Sequence, residues 1–202
     1  MDPTLSLFAE TGAYLKGHFR LTSGLHSPEF LQCALVLQHP KYAERLGQAM
    51  AGKLQVSGNG IPSAGADTVA DTVVAPAMGG LMIGHEVARA LGVRSIFTER
   101  DTEGKMVLRR GFTVRPGERC VVIEDVITTG GSTKEVVAVL RALGAVVVAA
   151  GSIIDRSGGK ADVGVPRVAL VVMNVTAWKP EECPLCAEGV PAVKPGSRPS
   201  NA

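Results

Sequence analysis

The segment at residues 121–135, VVIEDVITTGGSTKE, decides how the rest of the chain is read. An apolar strand over residues 119–125 ends in two adjacent carboxylates, Glu124 and Asp125. Val126 and Ile127 then lead into the loop Thr128, Thr129, Gly130, Gly131 and Ser132. Glycine permits dihedrals that turn successive backbone N–H groups inward, so a loop of this kind makes an anion-binding concavity. The spacing of Ser132 and Glu135 predicts a Ser-x-x-Glu capping box, with the positive end of the following helix dipole turned toward the loop. Two acids beside a phosphate cradle would repel its ligand unless they served hydroxyl groups or a magnesium ion. A ribose phosphate answers both needs, because its hydroxyls donate to carboxylates while its phosphate fills the loop.

Outward from this segment the chain alternates between two periods. Residues 71–77, 94–99, 145–154 and 168–173 are short and rich in Val and Ile, as strands buried on both faces are. Residues 80–91 and 132–143 are helical stretches ending before Gly92 and Gly144, and residues 40–54 form a third with Tyr42, Leu46, Met50 and Leu54 on one side. This is the pattern of an α/β fold with a mostly parallel sheet flanked by helices. Residues 57–68 (SGNGIPSAGADT) read as a linker, and the Pro-rich tail from Glu188 reads as loosely ordered. One domain is expected, divided into an N-terminal segment (1–66), a core (67–175) and a C-terminal tail (176–202).

Composition narrows the function. The 202 residues carry 21 basic and 19 acidic side chains, a net charge of +2 that does not call for duplex DNA or an anionic membrane. Aromatics are 4% of the chain, too few for a base-stacking platform. Four cysteines make no disulfide framework, no export segment opens the chain, and no apolar run approaches a membrane span, so a cytoplasmic protein is expected. The Gly-x-x-x-x-Gly-Lys and Gly-x-Gly-x-x-Gly phosphate motifs are both absent from the sequence.

The 121–135 segment resembles the phosphoribosyl diphosphate (PRPP) signature of type I phosphoribosyltransferases. That resemblance implies their fold, with a small N-terminal hood and a mobile hairpin lid. It also implies PRPP binding by Glu124, Asp125, Val126, Ile127, Thr128, Thr129, Gly130, Gly131 and Ser132, with Asp125 catalytic as well. Residues 17–30 (GHFRLTSGLHSPEF) resemble the Phe-x-Leu-x-Ser-Gly-x-x-Ser-Pro element of the orotate phosphoribosyltransferase family, carried here by Phe19, Leu21, Ser23, Gly24, Ser27 and Pro28. In that family the element closes over the pyrimidine, so backbone groups around Ser23 and Gly24 are expected to read the base. Residues 152–156 (SIIDR) resemble its Asp-Arg element, in which Arg156 would pair with the orotate carboxylate and Thr128 would also touch the base. A surface pair with Asp155 is the plain alternative for this arginine.

Residues 97–112 (FTERDTEGKMVLRRGF) resemble the family's mobile catalytic loop, with Arg100 and Lys105 as catalytic candidates and Arg109 and Arg110 on the returning strand. Residues 74–80 (VAPAMGG) resemble its pyrophosphate-binding turn. Many relatives carry a lysine in that turn and another before the Ser-Gly of the hood; Gly79 and Thr22 stand at those places, so the lysine roles do not transfer.

The resemblance implies transfer of a phosphoribosyl group from PRPP to orotate, giving orotidine 5′-monophosphate and pyrophosphate. Magnesium would be bound mainly through PRPP. It further implies a homodimer whose lid reaches the neighbouring site, with no nucleic-acid or membrane partner. A phosphoribosyltransferase for another base and a PRPP-sensing RNA-binding regulator are the alternatives. No protein metal site is expected. Cys183-Pro-Leu-Cys186 reads as part of a structural tail, with a redox pair or half of a zinc site as the alternatives; Cys33 and Cys120 read as core and His18, His26, His39 and His85 show no ligand spacing, so the other half of a zinc site would have to come from a second subunit.

Overall fold

The computed structural model describes residues 2–21, 23–56 and 69–195. The expected linker over 57–68, Thr22 and the last residues of the tail lie outside the described residues. The elements in order are α1 (Pro3–Glu10), β1 (Tyr14–Arg20), β2 (His26–Leu31), α2 (Cys33–Leu37), α3 (Pro40–Gln55), β3 (Thr72–Pro76), α4 (Gly80–Leu91), β4 (Arg94–Arg100), β5 (Met106–Leu108), β6 (Arg119–Ile127), α5 (Gly131–Ala142), β7 (Val146–Asp155), β8 (Arg167–Val172), a short 3₁₀ turn (Pro180–Glu182) and α6 (Pro184–Ala187). They form two compact units, one of Met1–Val36 with Asn174–Ala202 and one of Leu37–Met173. Thus α3, grouped by sequence with the N-terminal segment, belongs to the second unit. The C-terminal tail belongs to the first and carries regular structure through α6.

The second unit is built on a six-stranded sheet of order β5-β4-β3-β6-β7-β8, parallel except for the β4–β5 hairpin. Alternation along the strands sends side chains to two helical layers. Val74, Val122 and Ala150 face α5, where they pack with Val136, Val137 and Leu140. Val73, Ala75 and Gly151 face α4 and α3. A Cβ on Gly84 would stand 2.7 Å from that of Ala75, and one on Gly47 of α3 would stand 2.6 Å from Glu86 of α4. Glycine is what lets these backbones approach so closely, because any larger side chain would force the layers apart. The parallel strands deliver their carboxyl ends, and with them Glu124, Asp125 and Arg156, to one edge of the sheet.

At the opposite edge lies a buried charge the sequence did not single out. Glu118 has a side chain 3% exposed; one carboxylate oxygen accepts from the Thr72 hydroxyl at 2.5 Å and the Arg94 guanidinium at 2.6 Å, the other from the Arg115 amide at 2.8 Å. Burial alone would raise its pKa, but the Thr72 hydroxyl, the Arg115 amide and Arg94 together outweigh it and pull the carboxyl down to about 2. A depressed pKa stabilises the fold above the unfolded value of 4.5, and that stabilisation is lost as pH falls toward about 2. Glu118→Gln is therefore expected to flatten the loss of melting temperature between these pH values while lowering stability at neutral pH by about 1–3 kcal/mol. A pH series of thermal melts on both proteins checks it; parallel curves would show that Glu118 is not the titrating anchor.

The first unit holds the β1–β2 hairpin, joined antiparallel with a bulge between Lys16 and Phe19. Gly24 lies in the left-handed region at φ 85°, and its amide donates to the Leu21 carbonyl at 3.0 Å, closing the turn. The C-terminal segment pairs with this hairpin through isolated bridges at His26–Trp178 and Phe19–Val193.

Candidate active site

β6 stays buried through Glu124, and its two successive acids, Glu124 and Asp125, stand near the carboxyl edge of the sheet. Glu124 is 9% exposed and Asp125 is half-buried. The Asp125 amide donates to Glu124 Oε1 at 3.3 Å, and the Val126 amide donates to Asp125 Oδ1 at 2.8 Å, fixing that carboxylate. Burial, then repulsion from Asp125, holds the Glu124 carboxyl well above the usual range, and burial raises Asp125 as well. Burial and mutual repulsion of adjacent acids held in this way are relieved by hydroxyl donors or a cation, which a vicinal diol or a metal ion supplies.

The turn after β3 closes on this pair. A Cβ at Gly79 would stand 2.6 Å from Asp125 Oδ1 and 2.9 Å from its other oxygen, so the bare glycine backbone lies directly against the carboxylate. From sequence Gly79 was notable only as the place of a missing lysine. In the fold it is the residue that gives Asp125 room.

Beyond Ile127 the chain leaves the sheet and wraps a small cavity of about 70 Å³, lined by Glu124 and residues 126–133. The expected capping box does not form. Gly130, at φ 81°, is the N-cap, no side chain caps the helix, and Ser132 lies inside its first turn. Glu135 instead pairs with Arg100 at 2.9 Å. The left-handed glycine starts α5 two residues earlier than the Ser-x-x-Glu spacing implies, which leaves the first-turn amides to the cavity rather than to a serine hydroxyl.

Gly130 is fixed by two constraints at once, its positive φ and a would-be Cβ 2.7 Å from Val163 Cγ1. Gly130→Ala is expected to cost about 2–4 kcal/mol from left-handed strain and overpacking, a melting-temperature loss of roughly 4–15 °C. Gly131→Ala, whose Cβ would meet only Thr129 Oγ1 at 3.7 Å, serves as the tolerated control in the same melts. Equal melting temperatures for the two variants would show that the loop has another conformation.

The 97–112 excursion is a hairpin, with Thr98 opposite Leu108 and Arg100 opposite Met106. Asp101 ties its tip by accepting from the Glu103 and Lys105 amides, both at 2.9 Å. Arg100 reaches the Gly104 carbonyl at 2.6 Å and Glu135 of α5, which brings it to the first turns of the cradle helix. Lys105 lies at the exposed tip, paired with Glu103 at 2.7 Å. Arg109 and Arg110 are not on the returning strand, which ends at Leu108; they turn back beside Glu99, at 3.5 and 2.9 Å.

Arg156 follows β7 directly. Its amide donates to the Ile127 carbonyl at 2.8 Å, so it begins where the β6 loop begins, one strand over from Thr128. Asp155 is fully buried and gives its carboxylate to Arg167 and to Ser157, whose hydroxyl donates at 2.6 Å and whose amide at 2.7 Å. The ion pair of Asp155 is thus with Arg167, not with its neighbour. Glu124, Asp125, the 126–132 loop, Arg156 and the Arg100 hairpin all belong to the second unit, whereas Ser23 and Gly24 lie in the first, in the β1–β2 turn.

A parallel sheet with an acid pair and a capless glycine loop at its carboxyl edge defines a class. The family model "Phosphoribosyl transferase domain" matches residues 63–181. The fold is shared with a crystal structure of orotate phosphoribosyltransferase from Aeropyrum pernix, at a TM-score of 0.65 and 24% identity, covering 83% of this chain and 92% of that one. It is shared too with an adenine phosphoribosyltransferase from Thermoanaerobacter pseudethanolicus, at a TM-score of 0.57 and 19% identity over 72% of this chain and 88% of that one, so the fold alone does not select a base. The sequence does. An orotate phosphoribosyltransferase of Heliobacterium modesticaldum is 55% identical over 98% of both chains, and one of Desulforamulus reducens is 52% identical over 98% of this chain and 97% of its own. The chain belongs to the orotate phosphoribosyltransferase family.

Proposed function

We propose that this site transfers the 5-phosphoribosyl group of PRPP to N1 of orotate, releasing pyrophosphate, in the synthesis of pyrimidine nucleotides. The observation that carries the reading is the juxtaposition of a phosphate-sized loop with paired carboxylates on one buried strand. The amides of the loop from Thr128 to Ser132 hold the 5′-phosphate. Asp125 and Glu124 accept from the ribose hydroxyls, and their charge favours the cationic character that develops at C1 as the leaving group departs. The turn at Gly79 meets the diphosphate through backbone. Arg100 and Lys105 come from a hairpin that supplies positive charge to the departing pyrophosphate. Arg156, at the same edge, pairs with the orotate carboxylate.

The acid pair also suits a magnesium ion carried in with PRPP. Two oxygen-donor side chains at the end of one strand, both raised in pKa by burial, fit a hard divalent cation. When bound, the ion neutralises diphosphate charge; orientation of the two substrates falls to the residues above. A homodimer in which the hairpin of one copy serves its partner's site is part of the same reading. No helix among the described residues is long and apolar enough to cross a membrane.

The test is a panel of orotate, uracil, adenine, guanine and hypoxanthine with PRPP and magnesium, monitoring pyrophosphate. Orotate alone is expected to release it. Release with another base and none with orotate would overturn the assignment.

A further inference from the structure

We propose that the first unit contains a structural zinc site made by His18, His26, Cys183 and Cys186 of a single chain. The four ligand atoms lie within 4.8 Å of one another, and three of the four residues are buried. His18 Nε2 stands 2.8 Å from His26 Nδ1, 3.4 Å from Cys183 Sγ and 3.8 Å from Cys186 Sγ, while His26 Nδ1 is 3.2 Å from Cys186 Sγ. A tetrahedral zinc with bonds of about 2.0–2.1 Å to nitrogen and 2.3 Å to sulfur spaces its ligand atoms about 3.3 to 3.8 Å apart. The three sulfur contacts fall on or close to those edges, and the nitrogen pair is somewhat tighter.

Hydrogen-bond chemistry says why packing alone does not account for the cluster. His18 Nδ1 is 2.7 Å from the Val190 carbonyl, which can only accept, so Nδ1 carries the proton and Nε2 presents a lone pair. That single lone pair faces His26 Nδ1 and both sulfurs. One acceptor cannot serve three neighbours, whereas a divalent cation at the centre serves all four atoms. The Val190 carbonyl is at the same time the outer partner that orients a metal-bound imidazole. Two nitrogens and two sulfurs in a tetrahedral set select zinc over hard cations.

The sequence hides half of this set. Cys183 and Cys186 are a legible knuckle, Cys183 preceding α6 and Cys186 within it. The histidines come from the β1 bulge and the start of β2, some 165 residues earlier, so no spacing links them to the cysteines. The expectation that a second subunit would have to complete the site gives way to one chain that brings all four groups together. The strand bridges at His26–Trp178 and Phe19–Val193 bring the C-terminal segment across the hairpin, and the metal would lock that closure. The turn it secures is the one that carries Ser23 and Gly24.

The site is tested by metal content, independently of any enzymatic activity. Tag-free protein produced with zinc in the medium is expected to hold about one zinc per chain by mass spectrometry of the metal, falling at least about tenfold in Cys186→Ser. Cys186 is exposed, so that variant should keep its circular dichroism. Cobalt(II) added to metal-stripped wild type should give the visible bands of tetrahedral cobalt with thiolate charge transfer, lost in the variant. Wild-type protein that holds no zinc and gives only an octahedral cobalt spectrum would overturn the proposal, whether its two thiols are free or joined as a disulfide.

Discussion

Asp125→Asn is expected to lower kcat/KM for PRPP by about 10- to 150-fold, the loss that follows from replacing a charged hydrogen-bond acceptor worth about 1.5–3 kcal/mol. The substitution suits the question because it preserves shape. Asparagine can still accept from the Val126 amide and fits against Gly79, where nothing bulkier than the existing carboxylate has room. What it removes is charge. Two readouts follow. On the proposed mechanism turnover falls because the carboxylate assigned to the diol, and to the positive charge developing at C1, is no longer anionic. The pH profile moves as well. Burial and then Asp125 hold Glu124 well above the ordinary carboxylate range, so deleting the Asp125 charge lets the Glu124 pKa fall. If the ionised pair is the active form, the acid limb of kcat/KM shifts to lower pH in the variant. Wild-type steady-state constants in Asp125→Asn would remove the carboxylate from the reaction.

The parts of this site that were legible in the sequence share one property: they are local. A run of Val and Ile, two acids, a Thr and Gly loop and a helical stretch follow each other between residues 119 and 143, and the strand-to-helix change of period places them without reference to the rest of the chain. Strand ends differ by one or two positions; pairing with β7 carries β6 on through Ile127, beyond the acids that mark its end in the sequence. The capping box failed for a local reason of a different kind. Ser-x-x-Glu spacing is indifferent to whether the residue ahead can adopt positive φ, and Gly130 does so, taking the cap position and releasing Glu135 to Arg100. The remaining surprises are non-local. Gly79 matters through its contact with Asp125, 46 positions away by number and adjacent only across the sheet, and Arg167 claims Asp155 from the neighbouring strand. No periodicity reports such pairings. The histidine and cysteine cluster is the extreme case, joined only by the fold of the first unit.

Arg156→Ala is expected to reduce kcat/KM for orotate at least about 30-fold, because truncating one partner of a hydrogen-bonded charge pair costs about 2–5 kcal/mol. The structure gives the prediction its force by removing the obvious competitor. Asp155, the acid next to Arg156 in the chain, is buried and committed to Arg167 and Ser157, whose contacts hold its carboxyl below the usual range despite burial. Meanwhile the Arg156 backbone is clamped to Ile127, so the side chain starts from a fixed point beside Thr128. A carboxylate-bearing base bound at this edge meets a planar two-pronged donor, and a base without a carboxylate does not. The loss should therefore fall on KM for orotate and on kcat, with the affinity for PRPP nearly unchanged. Arg156→Lys should recover only part of the activity, since an ammonium cannot form the bidentate pair. Full activity toward orotate in Arg156→Ala, or full rescue by lysine, would mean that the carboxylate is recognised elsewhere, and the base specificity of the site would have to be sought in other residues.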